Sequence, residues 1–356
     1  MGVCASKPSV AGSPQQSAVE YTEQTPPSTP SSSEAPMSPS MHGLAALGPY
    51  RARQPDAGQP ALHPYEVQQV AYQLGMRVND RPIEDAGERQ RLVDATATMH
   101  ETRRALHRGR GNVDSDLQLS GQLSAVYSAL TYALGGNDEN VHAGSALAIG
   151  AGNCDQNAAI NARQHAVHME DGGKMLTVRD YGVPHIYALY QPPRAAEADE
   201  SNVVLDSWCD GPAVRLGDSR WAETYGTTTT VVERFDKPDA IDARKRTNAL
   251  RAEIENPQTP RHAYARDLET VFLANRAKHV PGYVFTSMPV IDPTLAESTR
   301  QRLREYSPRT RRVLAADAAR HAYGLDDAQA TSPRTTTAIL KDAERLDALE
   351  RPPLSW

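Results

Sequence analysis

Cysteine and phenylalanine are both scarce in this sequence, with three residues of each among 356. Cys4, Cys154 and Cys209 form an odd and widely spaced set, which argues against a framework of disulfides and favours a reducing compartment. Cys154 and Cys209 remain a pair that a single bridge could join. Aromatic residues make up 6% of the chain, so we expect any core to depend on Ala, Leu, Val and Tyr.

Long apolar runs and an excess of basic residues are also missing. No stretch approaches the roughly 18 apolar residues of a membrane-spanning helix, and the N-terminus has no apolar segment of the signal-peptide type. The net charge is −6 and the isoelectric point is near 6.0, which argues against a basic surface that could hold nucleic acid. The length allows one large domain, or two smaller ones, in addition to a tail.

The first 60 residues are rich in proline and small polar residues and hold ten of the 26 prolines. Such a segment buries too little apolar surface to offset its ordering entropy, so we predict that residues 1–60 are disordered. The opening residues fit the N-myristoylation pattern, with Gly2 as acceptor and Ser6 at the favoured hydroxyl position. Cys4 is a candidate palmitoyl site, since a second acyl chain makes marginal membrane binding stable. Because myristoyl transfer is a eukaryotic reaction, the protein would be eukaryotic or act inside a eukaryotic cell.

Residues 61–140 carry helical patterns. Apolar spacing predicts helices at 63–75, 84–108 and 117–134. Four arginines lie near the end of the second helix, where cations suit the helix dipole: Arg103, Arg104, Arg108 and Arg110. We interpret these arginines as a solvated face, with a basic binding site as the alternative.

Strands are predicted within residues 141–356. A helix is expected from Cys154 to about residue 169. Strand-like runs rich in β-branched and aromatic residues follow, at 175–181, 185–190, 203–208 and 227–235. Helical patterns then return, at 239–255, 261–278, 294–305, 309–323 and 335–349. The predicted fold class is α+β, with the strands grouped between two helical stretches and with 141–356 as one domain.

Three residues in this order have the chemistry of an activated nucleophile. Cys154 opens a helix, whose N-terminus offers positive potential and free N–H groups to a thiolate. His185 begins a strand and can move a proton, and Asp206 ends the next strand and can orient the imidazole ring. If those strands pair antiparallel, the start of one lies beside the end of the other. The order therefore predicts a Cys154–His185–Asp206 triad.

Each of these residues also has an ordinary structural interpretation, as a buried thiol, a core histidine or a turn aspartate. Asp155 complicates the triad, because a carboxylate beside the thiol disfavours the thiolate unless it points away or caps the helix. Backbone N–H groups, that of Cys154 included, would supply an oxyanion hole. Its side-chain donors stay open among three neighbours: Asn153, Gln156 and Asn157.

Other chemistry has weaker support in the sequence. His165 and His168 are three residues apart on the helix after Cys154 and could bind zinc with Cys209 or Cys154, but no second paired motif accompanies them. The glycine-rich stretch 144–152 lacks the spacing of phosphate-binding loops. We therefore predict no metal and no cofactor.

At the triad residues the sequence resembles the AvrPphE/HopX/XopE family of type III effectors of plant-pathogenic bacteria, above all its XopE branch. The resemblance covers most of the chain from about residue 60, together with the Gly2 and Cys4 start. It rests on three segments: Gly152-Asn153-Cys154-Asp155, Tyr181-Gly182-Val183-Pro184-His185-Ile186-Tyr187 and Leu205-Asp206-Ser207-Trp208-Cys209-Asp210-Gly211. That family belongs to the transglutaminase-like superfamily of papain-like thiol enzymes.

The resemblance implies a fold in which a nucleophile helix packs on a small antiparallel sheet. It implies that Cys154 is the nucleophile, His185 the base, Asp206 the orienting acid and Gly2 the myristoyl acceptor. An upstream segment, here 61–140, would be a target- or cofactor-binding region, so that a host cofactor stays open. Asp155, Tyr187 and Ser207 depart from the wider superfamily, which has an aromatic residue, Trp and Pro there. These departures leave the acyl acceptor undecided.

The resemblance further implies a virulence effector that is secreted into a host plant cell and acts at the inner face of the plasma membrane. Its partners would be host proteins as substrates, the host N-myristoyltransferase and, through the lipid anchor, the membrane. Proteases, transglutaminases and deamidases of this kind all share one acyl-enzyme. Among these three thiol activities we favour a protease. The alternative is a non-enzymatic scaffold that binds a host protein and carries a vestigial triad.

Overall fold

We describe the protein from a computed structural model, which defines residues 61–136, 138–193 and 201–351. The predicted disordered tail, Gly2 and Cys4 lie outside these residues. None of the helices in the defined ranges combines the length and the apolar content that a bilayer crossing requires.

Within the described residues, six α-helices precede the strands: α1 (Pro64–Val78), α2 (Ala86–Ala105), α3 (Asp114–Leu119), α4 (Leu123–Gly135), α5 (Glu139–Ile149) and α6 (Cys154–Gln164). The predicted helix 117–134 is wrong as a single helix. The chain breaks between α3 and α4, where Gly121 and Gln122 both have positive φ angles of 57° and 72°. The strongly apolar pattern of α4 led to the prediction of one continuous helix across that break. The sequence also failed to predict α5.

The strands form one antiparallel sheet in the order β4-β3-β2-β1-β5. They are β1 (Lys174–Asp180), β2 (His185–Gln191), β3 (Val203–Leu205), β4 (Val214–Arg215) and β5 (Thr229–Asp236). The four predicted strands are present, although β3 ends at Leu205 rather than at 208, and β4 was not predicted. The α+β class and the small antiparallel sheet are therefore confirmed.

Six helices follow the strands: α7 (Lys237–Glu255), α8 (Pro260–Ala274), α9 (Pro293–Glu305), α10 (Pro308–Tyr323), α11 (Asp327–Thr331) and α12 (Pro333–Ala343). Each of the predicted helices in this part is present within a few residues at its start, and α11 is additional. The predicted C-terminal ends at 278 and 349 are too late, because short 3₁₀ turns at 276–278 and 346–348 follow the helices there.

Side chains from helices on both sides of the strands, and from the strands themselves, meet in one main apolar core, while residues of α5 and α6 form a smaller second cluster with Leu106. The main core includes Leu74 of α1, Met99 of α2, Leu189 of β2 and Leu303 of α9, together with Trp208, which follows β3. Each of these side chains is almost fully buried. The predicted helical segment 61–140 and the predicted domain 141–356 thus share the same core.

The sheet brings the start of β2 next to the end of β3. Ala188 pairs with Leu205 and Tyr190 pairs with Val203, so the two strands run antiparallel as expected. His185 begins β2 and Asp206 follows β3 directly. Both residues therefore lie at the same end of the sheet. Helix α6 contacts β2 and starts with Cys154.

Candidate active site

His185 and Asp206 form a buried hydrogen-bonded pair. His185 Nε2 lies 2.7 Å from Asp206 Oδ2, and the two side chains are 3% and 1% exposed. Burial in so apolar a place penalises both charges, so the pair is stable only because each charge compensates the other. The antiparallel pairing of β2 and β3 thus achieves the contact that the sequence predicted.

Asp206 is held by two further hydrogen bonds. The indole Nε1 of Trp221 donates to Oδ2 at 3.2 Å, and the backbone N–H of Cys209 donates to Oδ1 at 3.1 Å. Burial alone would raise the pKa of Asp206, but the charge and hydrogen bond of His185 and the donors at Cys209 outweigh it and lower that pKa. Asp206 is therefore an ionised acceptor, which suits a carboxylate that orients an imidazole ring.

The thiol of Cys154 contacts the same imidazole ring. Burial would lower the pKa of His185, but Asp206 and then the hydrogen bond and charge of Cys154 raise it to about 10. Because Nε2 is bound to Asp206, the ring nitrogen available to the sulfur is Nδ1. Sulfur, imidazole and carboxylate thus form one hydrogen-bonded chain across α6, β2 and the end of β3.

Aromatic rings enclose the imidazole. The ring of Trp221 stacks on His185 at 4.6 Å with an interplanar angle of 20°, and the ring of Trp208 lies at 5.0 Å. Both indoles are 1–2% exposed. They keep water from the His185–Asp206 bond, where the low local dielectric strengthens the electrostatic attraction. Trp221 was not predicted, since nothing near it in the sequence marks a site.

Asp155 is drawn toward α4. The hydroxyl of Tyr132 donates to Asp155 Oδ1 at 2.7 Å, which satisfies one carboxylate oxygen. Burial first, then Asp155 and the charge of Cys154, raise the pKa of Tyr132 well above its usual value. Tyr132 therefore lies beside the nucleophile and remains a neutral donor. The sequence analysis placed it only on the apolar helix 117–134.

The three residues considered as oxyanion donors have different positions. Asn157 donates to the carbonyls of Gly152 and Asn153 and accepts from Ser207 Oγ at 2.8 Å. Gln156 accepts the backbone N–H of Asn153 at 2.7 Å, and its Nε2 is sealed inside the protein. These two side chains support the segment before the nucleophile. Asn153 is partly exposed and lies next to Cys154.

A short segment links the two sides of the site, and we call residues 108–113 the bridging loop. Towards the nucleophile, Arg108 N donates to Gly150 O at 2.7 Å and Gly111 N donates to Asn153 Oδ1 at 3.0 Å. Towards the acid, Trp208 Nε1 donates to Asn112 Oδ1 at 3.2 Å. The bridging loop therefore positions residues next to Cys154 and next to Asp206 at once.

Buried arginines hold the segment 206–211, which we call the acid loop. Arg103 donates to the carbonyls of Ser207, Cys209 and Gly211 at 3.2, 2.7 and 2.8 Å. Arg110 donates to the carbonyl of Trp208 at 2.7 Å. A guanidinium group offers five N–H donors in a fixed planar arrangement, which suits it to binding several carbonyls of one loop.

The interpretation of the arginine cluster as a solvated face is therefore wrong for two of its members. Arg103 and Arg110 are 2% and 3% exposed, whereas the side chains of Arg104 and Arg108 are 57% and 35% exposed. Backbone carbonyls have no signature in the sequence. The spacing of the arginines therefore could not predict that Arg103 and Arg110 are buried against carbonyl groups.

The two histidines considered as zinc ligands each lie beside another polar side chain. His165 Nδ1 lies 3.0 Å from Thr98 Oγ1, and His168 Nδ1 lies 3.6 Å from Asp94. Within the described ranges, one group of three potential ligands comes together, namely His185, Asp206 and Cys209. It excludes both helix histidines. Cys154 and Cys209 are separate free thiols. A cation in that group would have to displace the 2.7 Å bond of the triad.

Comparison with known proteins adds no relative. No protein-family model, no curated protein and no solved structure matches this chain. The chemistry of the site must therefore be argued from its own residues.

Proposed function

We propose that this protein is a thiol acyl-transfer enzyme that acts on amide bonds, with Cys154 as nucleophile. The observation that supports it best is the buried chain of hydrogen bonds from the Cys154 thiol through His185 to Asp206. An unrelated core cysteine has no need of an imidazole on one side and an ionised carboxylate behind it. Perturbed titrating groups of this kind are typical of catalytic sites.

Each residue would have a defined part in the reaction. The Cys154 sulfur attacks the carbonyl carbon, a C–S bond forms, and the carbonyl π electrons move to the oxygen. Collapse of that intermediate breaks the C–N bond, and the imidazolium of His185 gives its proton to the departing nitrogen. Asp206 keeps the ring oriented and stabilises its positive charge. An acceptor then releases the acyl group and regenerates the thiol.

The acceptor decides the outcome. Water would give proteolysis or, on a glutamine side chain, deamidation, and an amine would give cross-linking. We favour the protease. The arrangement of α6, whose first residue is the nucleophile, against an antiparallel sheet supports our proposal of a papain-like or transglutaminase-like core. The residues quoted for the AvrPphE/HopX/XopE resemblance include all three members of the triad, which supports membership of that family.

The cellular role is proposed from the N-terminal motif and that resemblance. The protein would be a type III effector that reaches the inner face of the host plasma membrane with a myristoyl group on Gly2 and a palmitoyl group on Cys4. The host N-myristoyltransferase would then be a partner, and host plant proteins would be the substrates. Two acyl chains are sufficient for stable anchoring.

A mass-spectrometric comparison tests both parts. Host membrane proteins are exposed to the wild-type chain and to Cys154→Ala, and the products are searched for cleavage, for a Gln-to-Glu mass change and for cross-links. We expect one of these changes with the wild type and none with Cys154→Ala, because alanine has no nucleophile. Purified Cys4→Ala, which also loses one thiol, is the matched control and should remain active.

Two outcomes would contradict the proposal. Full activity of a folded Cys154→Ala protein in host cells would favour the scaffold. In the same cells Gly2→Ala is expected to leave the membrane fraction, and its continued presence there would show that Gly2 does not anchor the chain.

A further inference from the structure

The proposed reaction needs a group that holds the negative charge formed on the carbonyl oxygen. Thiol attack places that charge on oxygen, and fixed hydrogen-bond donors stabilise it. The backbone N–H of Cys154, at the start of α6, is the donor that the sequence predicts for this role. A second donor must come from a side chain or from another backbone group near the sulfur. The inference that follows rests on the proposed function.

The neighbours of Cys154 in sequence are poor candidates for this second donor. The amide of Asn157 is spent on two backbone carbonyls, and the Nε2 atom of Gln156 is buried away from the surface. Asn153 uses Oδ1 to accept from Gly111, while its Nδ2 is 3.4 Å from the Tyr132 hydroxyl. All three side chains therefore take part in hydrogen bonds that hold the loop before the nucleophile together.

Asn112 on the bridging loop differs from them. Its Oδ1 accepts the Nε1–H of Trp208 at 3.2 Å. Because an indole nitrogen can only donate, the atom that faces it must be the amide oxygen. This contact fixes the orientation of the amide group and turns its Nδ2 away from Trp208. The backbone of Asn112 is also held, since its carbonyl accepts the N–H of Phe285 at 2.8 Å.

The Nδ2 group of Asn112 is an unused donor. Among the described residues no hydrogen bond is made by this group, and the residue is partly exposed. The residue before it, Gly111, is bonded to the residue before the nucleophile. The indole that orients it lies 5.0 Å from the ring of His185. Asn112 is thus bonded to an indole that packs on His185, and it follows directly a residue that is bonded to Asn153, the neighbour of Cys154.

We propose that Asn112 is a catalytic residue whose Nδ2–H donates to the carbonyl oxygen of the substrate. It acts together with the backbone N–H of Cys154. As the C–S bond forms, the oxygen gains the electron pair of the carbonyl bond, and the two donors hold it. When the C–N bond breaks, the pair returns to form the carbonyl of the acyl-enzyme and His185 protonates the leaving nitrogen.

Two small reagents separate this role from a structural one without any knowledge of the natural substrate. 4-Nitrophenyl acetate acylates a thiol through a negatively charged oxygen and releases 4-nitrophenolate. Iodoacetamide alkylates the same thiol by displacing iodide from a saturated carbon, so no oxyanion forms. Both reactions require the thiolate and access to it, and the ratio of their rate constants therefore cancels these two factors. Peptide mass spectrometry reports the modification of Cys154 itself, and Cys154→Ala gives the background.

The informative variants are Asn112→Asp and Asn112→Ala. Asp keeps an oxygen for Trp208 and removes the amide donor, whereas Ala removes both contacts. We expect either change to lower the acylation-to-alkylation ratio by about 10²–10³, as loss of one such donor does. The control Asn275→Ala removes a half-buried asparagine at the end of α8 and should leave the ratio unchanged.

The outcomes are distinct. An unchanged ratio in both Asn112 variants, with a reactive wild type, overturns the role of Asn112 and leaves the proposed function in place. A parallel fall of both rates also overturns it, because that result describes a positioning residue. A wild-type Cys154 that acylates no faster than glutathione removes the proposed function, and the role of Asn112 falls with it.

Discussion

Two helical regions flank the site, and they differ in how much of their surface is buried. We call α1, α2 and the bridging loop the upstream layer, and α7 with α8 the outer hairpin. Twelve of the 15 residues of α1 are buried, against four of 19 in α7 and two of 15 in α8. The buried residues of α1 include Gln68, Gln69 and Gln73, so burial here does not follow hydropathy.

The same residue type has a different role in each region. Arg103 of the upstream layer is 2% exposed and donates to three carbonyls of the acid loop. Arg251 of the outer hairpin pairs with Glu255 one turn along its own helix, at 2.7 Å, and its side chain is 24% exposed. The upstream layer therefore supports the site directly, whereas in the outer hairpin α7 packs against α5 and α6, and α8 packs against α4.

The largest difference between the regions is expected for the two arginines. Arg103→Met should destabilise the protein by about 2–6 kcal/mol, because the buried carbonyls of Cys209 and Gly211 lose the donor that Arg103 supplies, at about 1–3 kcal/mol each, whereas Ser207 keeps Arg351 as a donor. Arg251→Met removes a surface ion pair and should cost no more than about 1 kcal/mol. Urea unfolding of both variants, at the same pH, measures the difference. Equal losses would mean that the acid loop does not depend on Arg103.

A smaller difference is expected for two glycines. A Cβ at Gly111 of the bridging loop would lie 2.4 Å from the Cβ of Ser128, whereas a Cβ at Gly282 meets nothing within 4 Å. Gly111→Ala should therefore cost about 1–3 kcal/mol through overpacking and displace Asn112. Gly282→Ala should be neutral, or stabilising by about 0.4–1 kcal/mol, because it restricts the unfolded chain. Thermal unfolding of both variants checks this, and a stable Gly111→Ala protein would show that the bridging loop is loosely packed.

The sequence predicted the parts of the site that depend on local order. His185 and Asp206 meet because strand runs of regular length pair antiparallel, and Cys154 stands at a helix start whose cap residues are visible in Asn153 and Gln156. The parts it missed depend on contacts between distant segments. Arg103 reaches a carbonyl 108 positions away in sequence, at Gly211, and a carbonyl looks the same in every residue.

The missed helix and the missed donors have related causes. Helix α5 has the sequence ENVHAGSALAI, in which Gly144 fits closely against α7 and the small residues carry little apolar periodicity. Tyr132 and Asn112 were present in the sequence as an ordinary helix residue and an ordinary loop residue. Only the folded chain brings the first to Asp155 and the second to Trp208.

The last expected effect is gradual: a pH dependence that comes from the site and not from the outer hairpin. The pKa of His185 is raised to about 10, so its charge stabilises the fold fully below about pH 6.5, and that contribution is lost as the pH rises towards 10. The loss is at most about 1.4 kcal/mol per pH unit. Burial and Lys278 lower the pKa of His279, next to the outer hairpin. The protonation of His279 therefore changes the stability of the fold only as the pH falls below about 6.5.

Two histidine variants separate these contributions when unfolding is measured from pH 7 to pH 10. His185→Gln should be less stable than the wild type at pH 7, and the difference between the two should shrink steadily towards pH 10. Because the hydrogen bond and charge of Cys154 contribute to the raised pKa of His185, both proteins are compared with Cys154 replaced by Ala. Groups that are not coupled to His185 then cancel in the difference. His279→Gln should follow the wild type throughout. A constant difference for His185→Gln would mean that His185 is neutral in the folded protein, and the ion pair with Asp206 would then have to be abandoned.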